Sequence, residues 1–89
     1  MLRLYIAGNS PSSRRAEQNV IHLRKHLAAA LKVEIIDVLV RPDLAEQAGV
    51  LATPTLSYEH SVRPRRIVGD LSDTRRVLEF LGINPDGEA

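Results

Sequence analysis

Four groupings of side chains in this sequence have types and spacings that chemistry uses. His22 and His26 lie four residues apart, the spacing at which two imidazoles on one helical face can share a metal ion. No glutamate follows His22 in the metalloprotease pattern and no third ligand is evident, so both read as solvated residues and no metal is expected. Ser10, Ser12 and Ser13 crowd around Pro11 where an apolar run ends. A serine hydroxyl is hardly ionised and forms no mixed disulfide, so these serines read as helix-start residues. A serine-activated transferase is the remaining alternative. Asp70 and Asp73 would need burial to separate their pKa values before they could share acid–base work, and their positions suit helix capping better. Arg63, Arg65, Arg66, Arg75 and Arg76 form the densest positive region. Strand alternation sends Arg65 to one face and Arg66 to the other. A phosphate- or carboxylate-binding patch could form there, but no aromatic residues interleave to stack bases, and Glu59, Asp70 and Asp73 offset the charge. The cluster therefore reads as a solvated or protein-facing surface rather than a nucleic-acid site. No catalytic residue and no cofactor emerges.

The composition supports that reading. The chain has 89 residues, enough for one domain. It has 12 basic and 11 acidic side chains, a net charge of +1, which gives no global field for nucleic acid or an anionic membrane. The absence of cysteine excludes a disulfide scaffold, a thiolate nucleophile and dithiol redox chemistry. No 18-residue apolar run exists and the first residues read as a strand, so a soluble cytoplasmic protein is expected. A chain this short has a thin stability margin, and self-association, as a dimer or tetramer, is expected.

The elements that would position these groups follow from periodicity and punctuation. Residues 2–7 form an apolar strand, closed by Gly8 and Asn9. Ser10 and Pro11 open a helix whose Ala16, Val20, Leu23, Leu27 and Leu31 share one face, with Ile21 and Ala28 off that stripe. Residues 33–40, rich in β-branched side chains, form a second strand, parallel to the first through a right-handed crossover. A short helix from Pro42 to Ala48 ends at Gly49. Pro54 would delete a ladder bond inside a strand, so the next strand starts at it and runs through Glu59. Residues 60–64 turn the chain into a hairpin partner over 65–69. The segment 70–73 caps a last helix that uses Val77, Leu78 and Leu81 and ends at Gly82, leaving 84–89 as a frayed tail to a domain over 1–83. The order β-α-β-α-β-β-α is the thioredoxin-like order, an α/β fold with helices on both faces. In that fold Thr53-Pro54 matches a cis-proline before the third strand, read here as structural. Glutathione-binding relatives pair a peptide-like ligand with that backbone, so a thiol-independent glutathione-binding protein is the enzyme-class alternative.

Three segments resemble the KaiB family, the small proteins of the KaiA–KaiB–KaiC circadian clock. They are Leu2-Arg3-Leu4-Tyr5-Ile6-Ala7-Gly8-Asn9-Ser10-Pro11; Ile36-Asp37-Val38-Leu39 with Leu51-Ala52-Thr53-Pro54-Thr55-Leu56; and Arg65-Arg66-Ile67-Val68-Gly69-Asp70-Leu71-Ser72-Asp73. The resemblance implies a non-enzymatic partner of a KaiC-family ring ATPase, with a histidine kinase of the same pathway as a further partner. It also implies two arrangements: a thioredoxin-like form that binds KaiC, and a form with a rearranged C-terminal half, ordered βαββααβ, that assembles into dimers and tetramers. Pro54, Gly69 and Asp70 are the positions expected to influence that balance. Leu44, Ala48, Arg65, Arg66, Asp70 and Asp73 are expected to carry part of the partner contact. Ser61-Val62-Arg63-Pro64 replaces the proline-rich stretch of the cyanobacterial proteins, and Glu34 stands where a basic residue is expected. These departures argue against KaiA as a partner. They favour a bacterial homologue in a two-component clock-like or stress-response system. The sensor domain of SasA-type kinases has a related fold, which makes a sensor-type adaptor a third reading.

Overall fold

The structure, a computed structural model, describes residues 2–26, 32–58 and 65–82. Among the described residues, four strands make one mixed sheet: β1 (Leu2–Ile6), β2 (Val33–Asp37), β3 (Thr55–Tyr58) and β4 (Arg65–Val68), in the spatial order β2-β1-β3-β4. β1 runs parallel to β2 and antiparallel to β3, and β3 runs antiparallel to β4. Three helices, α1 (Pro11–Leu23), α2 (Pro42–Ala48) and α3 (Thr74–Phe80), complete the thioredoxin-like order. The rearranged βαββααβ order is not the one adopted here.

Register explains how a nearly continuous apolar strand serves two cores. The row Ile35, Leu4, Leu56, Ile67 crosses the sheet on one face, and Ile36, Tyr5, Thr55, Val68 crosses it on the other. Leu2, Leu4, Ile6, Leu56 and Ile67 pack with Ala16, Val20 and Leu23 of α1, and with Leu71, Val77, Leu78 and Leu81 in and around α3. Tyr5, Ile36 and Ala45 form a smaller cluster beneath α2, joined by the partly buried Val38, Leu44, Ala48 and Val50. Each large side chain buried in this way contributes roughly 1.5–3 kcal/mol relative to exposure. A seven-residue α2 covers only part of its face, which leaves Val68 exposed at the far edge.

The helix signals act as expected. Ser10 Oγ accepts from Ser13 N at 3.3 Å at the start of α1, and Asp73 Oδ1 accepts from Arg76 N at 3.1 Å at the start of α3. Gly49 (φ +71°) and Gly82 (φ +77°) end α2 and α3 in the left-handed region that glycine adopts without penalty. Ala16, Val20 and Leu23 face the core while Ile21 is exposed; Leu27, Ala28 and Leu31 lie outside the described residues.

Several boundaries differ from expectation. Regular α1 stops at Leu23 and tightens into a 3-10 turn over Arg24–His26. β2 ends at Asp37 rather than at residue 40, because Asp37 turns the chain. Its Oδ1 accepts from Leu39 N at 2.9 Å and from Gly8 N at 3.1 Å, and its carbonyl accepts from Val40 N and Arg41 N. Leu39 and Val40, read as strand residues, are therefore exposed in a turn. The apolar run 50–56 breaks at its proline, as expected. The Thr53–Pro54 bond is cis and β3 begins only at Thr55. The expected turn at 60–64, the strand end at Glu59 and the tail at 84–89 lie outside the described residues.

Candidate functional site

Two of the expected partner-binding residues, Arg65 and Arg66, lie on β4. Arg65 and Arg66, adjacent on one strand, reach opposite faces of the sheet, as alternation requires. Arg65 Nη1 donates to Phe80 O at the end of α3 (3.3 Å), and its guanidinium lies 6.0 Å from the Tyr58 ring centroid. Arg66 donates through Nη1 to Gly49 O (3.2 Å) and through Nη2 to Ala48 O, on the far side, at the end of α2. Each arginine thus satisfies carbonyls that a helix C-terminus leaves without partners. Both stay exposed, with part of each guanidinium already bonded within the chain.

Leu44 and Ala48 sit half-buried against the Tyr5 cluster, so they orient α2 rather than form its outer face. The outward positions are Pro42, Asp43, Glu46 and Gln47, which sequence reasoning passed over. The signal was available: Leu44, Ala45 and Ala48 supply the inner stripe of a two-turn helix, which assigns its polar residues outward. Asp43 forms a two-pronged ion pair with Arg41 (3.0 and 3.1 Å). That hydrogen-bonded guanidinium holds the Asp43 carboxyl below its ordinary range. Leu51, just beyond α2, is 99% exposed, whereas Leu56, five residues on in the same apolar run, is 0% exposed.

Gly69 and Asp70 occupy the corner between β4 and α3. Gly69 has φ +131°, outside the range of ordinary L residues, and its amide donates to Pro54 O at 3.0 Å. This bond joins the corner to the cis-proline loop, so two of the expected fold-determining positions touch. Asp70 is held from two elements. Its Oδ2 accepts from Arg15 Nε of α1 at 3.0 Å and its Oδ1 from Ser72 N at 3.0 Å, while its carbonyl accepts from Asn19 Nδ2 at 2.7 Å. Hydrogen bonding from the Ser72 side chain, and then from the Arg15 guanidinium, lowers the pKa of its carboxyl. The next residue, Leu71, has φ +65°, a left-handed conformation that costs a residue with a side chain roughly 1–2 kcal/mol. Leu71 is nevertheless 6% exposed, and the burial of its side chain offsets that cost. A shallow open cavity of about 100 Å³ lies at this corner, with Asp70, Asp73 and Arg76 among its lining residues.

One band therefore runs from the outer face and end of α2, through the 49–54 loop, across β4 to the 69–73 corner. Arg66 and the Gly69–Pro54 bond tie its parts together. Arg66, Gly69, Asp70 and Asp73 belong to it, and Ala48 joins it through its carbonyl alone. Arg65 points to the opposite face and Leu44 points inward. Arg63 lies outside the described residues.

The residues considered for catalysis are engaged structurally. Ser13 is 0% exposed, and its Oγ accepts from Ala7 N at 3.0 Å, pinning the end of β1 to α1. Ser10 is the helix cap. His22 is exposed, and the His26 side chain lies outside the described residues. Among the described residues no group of three or more His, Asp or Glu side chains could hold a metal ion. Among them, too, no helix is long and apolar enough to cross a membrane.

Comparison with known proteins gives this geometry a lineage. Residues 3–83 match the KaiB domain family model. The chain is 43% identical over 88 residues to circadian clock protein KaiB3 of Synechocystis sp., covering 98% of this chain and 86% of that protein. It is 48% identical over 81 residues to the circadian clock oscillator protein KaiB of Synechococcus elongatus, covering 88% and 78%. Among solved structures, the N-terminal domain of Synechococcus elongatus SasA superposes with a TM-score of 0.68 at 23% identity, over 91% of this chain and 81% of that one. The Drosophila melanogaster thioredoxin Deadhead superposes with a TM-score of 0.75 at 20% identity, over 91% and 76%. At these identities the two structures speak for the thioredoxin-like fold alone.

Proposed function

The chain belongs to the KaiB family, and from that premise we propose that it is a non-enzymatic regulator that docks on a KaiC-family ring ATPase. Docking modulates the phosphorylation and ATPase cycle of that ring in a circadian or clock-like stress-response system, in the cytoplasm. The observation that carries this reading is the band from α2 to the 69–73 corner. It is exposed and polar-rimmed with the exposed Leu51 beside it, and it is stiffened by internal hydrogen bonds instead of being built around a reactive group. Preorganised surfaces of this kind lower the ordering cost of association. The chain stands in the thioredoxin-like arrangement, the form that the family resemblance links to KaiC binding. Dimers and tetramers belong, on the same reading, to the rearranged form.

Glu34 supports the expectation that KaiA is not a partner. It is half-exposed on the edge strand β2 and ion-paired with Arg3 at 3.3 Å, so this edge presents a compensated acidic residue. The SasA N-terminal domain shares the fold, which favours a histidine kinase with such a domain as a second component of the system.

Gel filtration with mass detection tests the proposal. The protein is mixed with the KaiC-family ATPase of the same genome and ATP. Co-elution as a ring complex is expected, and a folded, nucleotide-loaded ring that elutes without this protein sinks the reading.

A further inference from the structure

Arg15 and Asn19 stand four residues apart on α1, so they share one face of it, and both end on Asp70. Their bonds differ in kind. Arg15 grips an exposed carboxylate, an interaction that salt screens. Asn19 donates a neutral, short hydrogen bond of 2.7 Å to the Asp70 carbonyl, the group that belongs to the peptide plane leading into Leu71. That plane is the one a left-handed Leu71, at φ +65°, must hold against its intrinsic preference. Beyond it the chain delivers Ser72, Asp73 and Arg76 to the rim of the corner cavity. Apolar burial holds the Leu71 side chain, but it does not fix the orientation of the peptide that precedes it. A directional bond from a separate, regular helix does.

We infer that Asn19 is a positioning residue for partner binding: through the Asp70 carbonyl it sets the turn at Leu71 that presents Ser72, Asp73 and Arg76. The inference rests on the partner reading above. It assigns a role in recognition to a side chain of the first half of the chain that lies across the corner from the contact itself.

The test uses Asn19→Ala and Asn19→Asp in the full chain, titrated against the KaiC-family ATPase with ATP. N19D keeps the shape and removes the donor, so a folding defect in N19A does not leave the question open. Both variants are expected to bind roughly 5- to 10-fold more weakly, the size of one lost neutral hydrogen bond. For N19A the loss should be the same at low salt and at about 0.5 M salt, because no charge is screened; N19D adds a carboxylate beside Asp70, so its loss is read at about 0.5 M salt. Two further readouts separate this positioning from a loss of overall stability. The three-bond HN–Hα coupling of Leu71, which reports φ without any partner, should change in both variants. In a cycle with Asp73→Ala, the double variant should lose less than the product of the two single losses, because part of the Asn19 effect passes through Asp73. Wild-type affinity in N19A and N19D, an unchanged Leu71 coupling, or losses that simply multiply with D73A would overturn the inference while the partner reading stands. A wild-type chain that does not bind the ring would remove the partner reading and this role with it.

Discussion

The apolar run 50–56 holds two leucines, one on each side of Pro54, and the structure gives them opposite fates. Leu56 is 0% exposed, between Leu4 on β1 and Ile67 on β4 and beneath α1 and α3; Leu51 is 99% exposed in the loop after α2. Leu56→Ala removes three buried carbons, worth about 2.4 kcal/mol at about 0.8 kcal/mol per methylene. The core is bounded by two strands and two helices, and incomplete relaxation around the cavity brings the expected loss to about 3–4 kcal/mol. A domain of 89 residues has a total stability of roughly 4–13 kcal/mol. The substitution therefore consumes a large share of it and lowers the melting temperature by roughly 12–32 °C. Leu51→Ala removes the same atoms from water and should stay within about 0.5 kcal/mol of wild type. Urea unfolding followed by circular dichroism measures both. Equal costs for the two variants, or a Leu56→Ala loss below about 1 kcal/mol, would refute the register and the loop placement together.

Other consequences are as direct. Ser13→Ala leaves the Ala7 amide without its acceptor in a part-buried site and should cost about 1–2 kcal/mol in urea unfolding. Gly8→Ala forces a side chain into φ +56° and brings its Cβ within 3.0 Å of Leu39 Cδ1. Leu39 is exposed and gives way, so the cost is the backbone's, about 1–2 kcal/mol, and Leu39→Ala should not rescue it. Arg66→Lys keeps the charge but loses the fork on the Ala48 and Gly49 carbonyls; hydrogen exchange at the end of α2 should speed up and partner affinity should fall. Asp70 and Asp43 have folded pKa values below their ordinary 3.8. Their stabilisation is present above that value and drains away as pH falls through the lowered folded values. Carboxyl NMR titration should show Arg15→Ala raising the Asp70 midpoint, and an unmoved midpoint would contradict the pairing.

What the sequence disclosed and what it concealed divide along physical lines. Local chemistry was legible: Ser10 with Pro11, Asp73, Gly49 and Gly82 mark helix ends through bonds made within a few residues. The β-α-β-α-β-β-α order and the split of Arg65 from Arg66 follow from periods of 3.6 and 2. Long-range effects were not legible. Asp37 ends β2 because it also holds Gly8, 29 residues away in the chain, and no window along the sequence contains that bond. The Asp70 corner was read as a capping segment. Its connection to Arg15 and Asn19 spans 55 and 51 residues, and a left-handed leucine contradicts every local propensity. Leu44 and Ala48, expected at the partner contact, sit half-buried against the Tyr5 cluster. The outward Glu46 and Gln47 were overlooked because polar residues on a short helix carry no pattern of their own.

The central claim is that the second half of the domain, from the outer face of α2 to the 69–73 corner, is the surface a KaiC-family ring covers. Hydrogen–deuterium exchange of this protein, free and in complex with the ATP-loaded ring, tests it most directly. New protection is expected at residues 46–52 and 66–76, with α1 residues 11–18 unchanged. Protection confined to α1, or a footprint on the β2 edge alone, would contradict it.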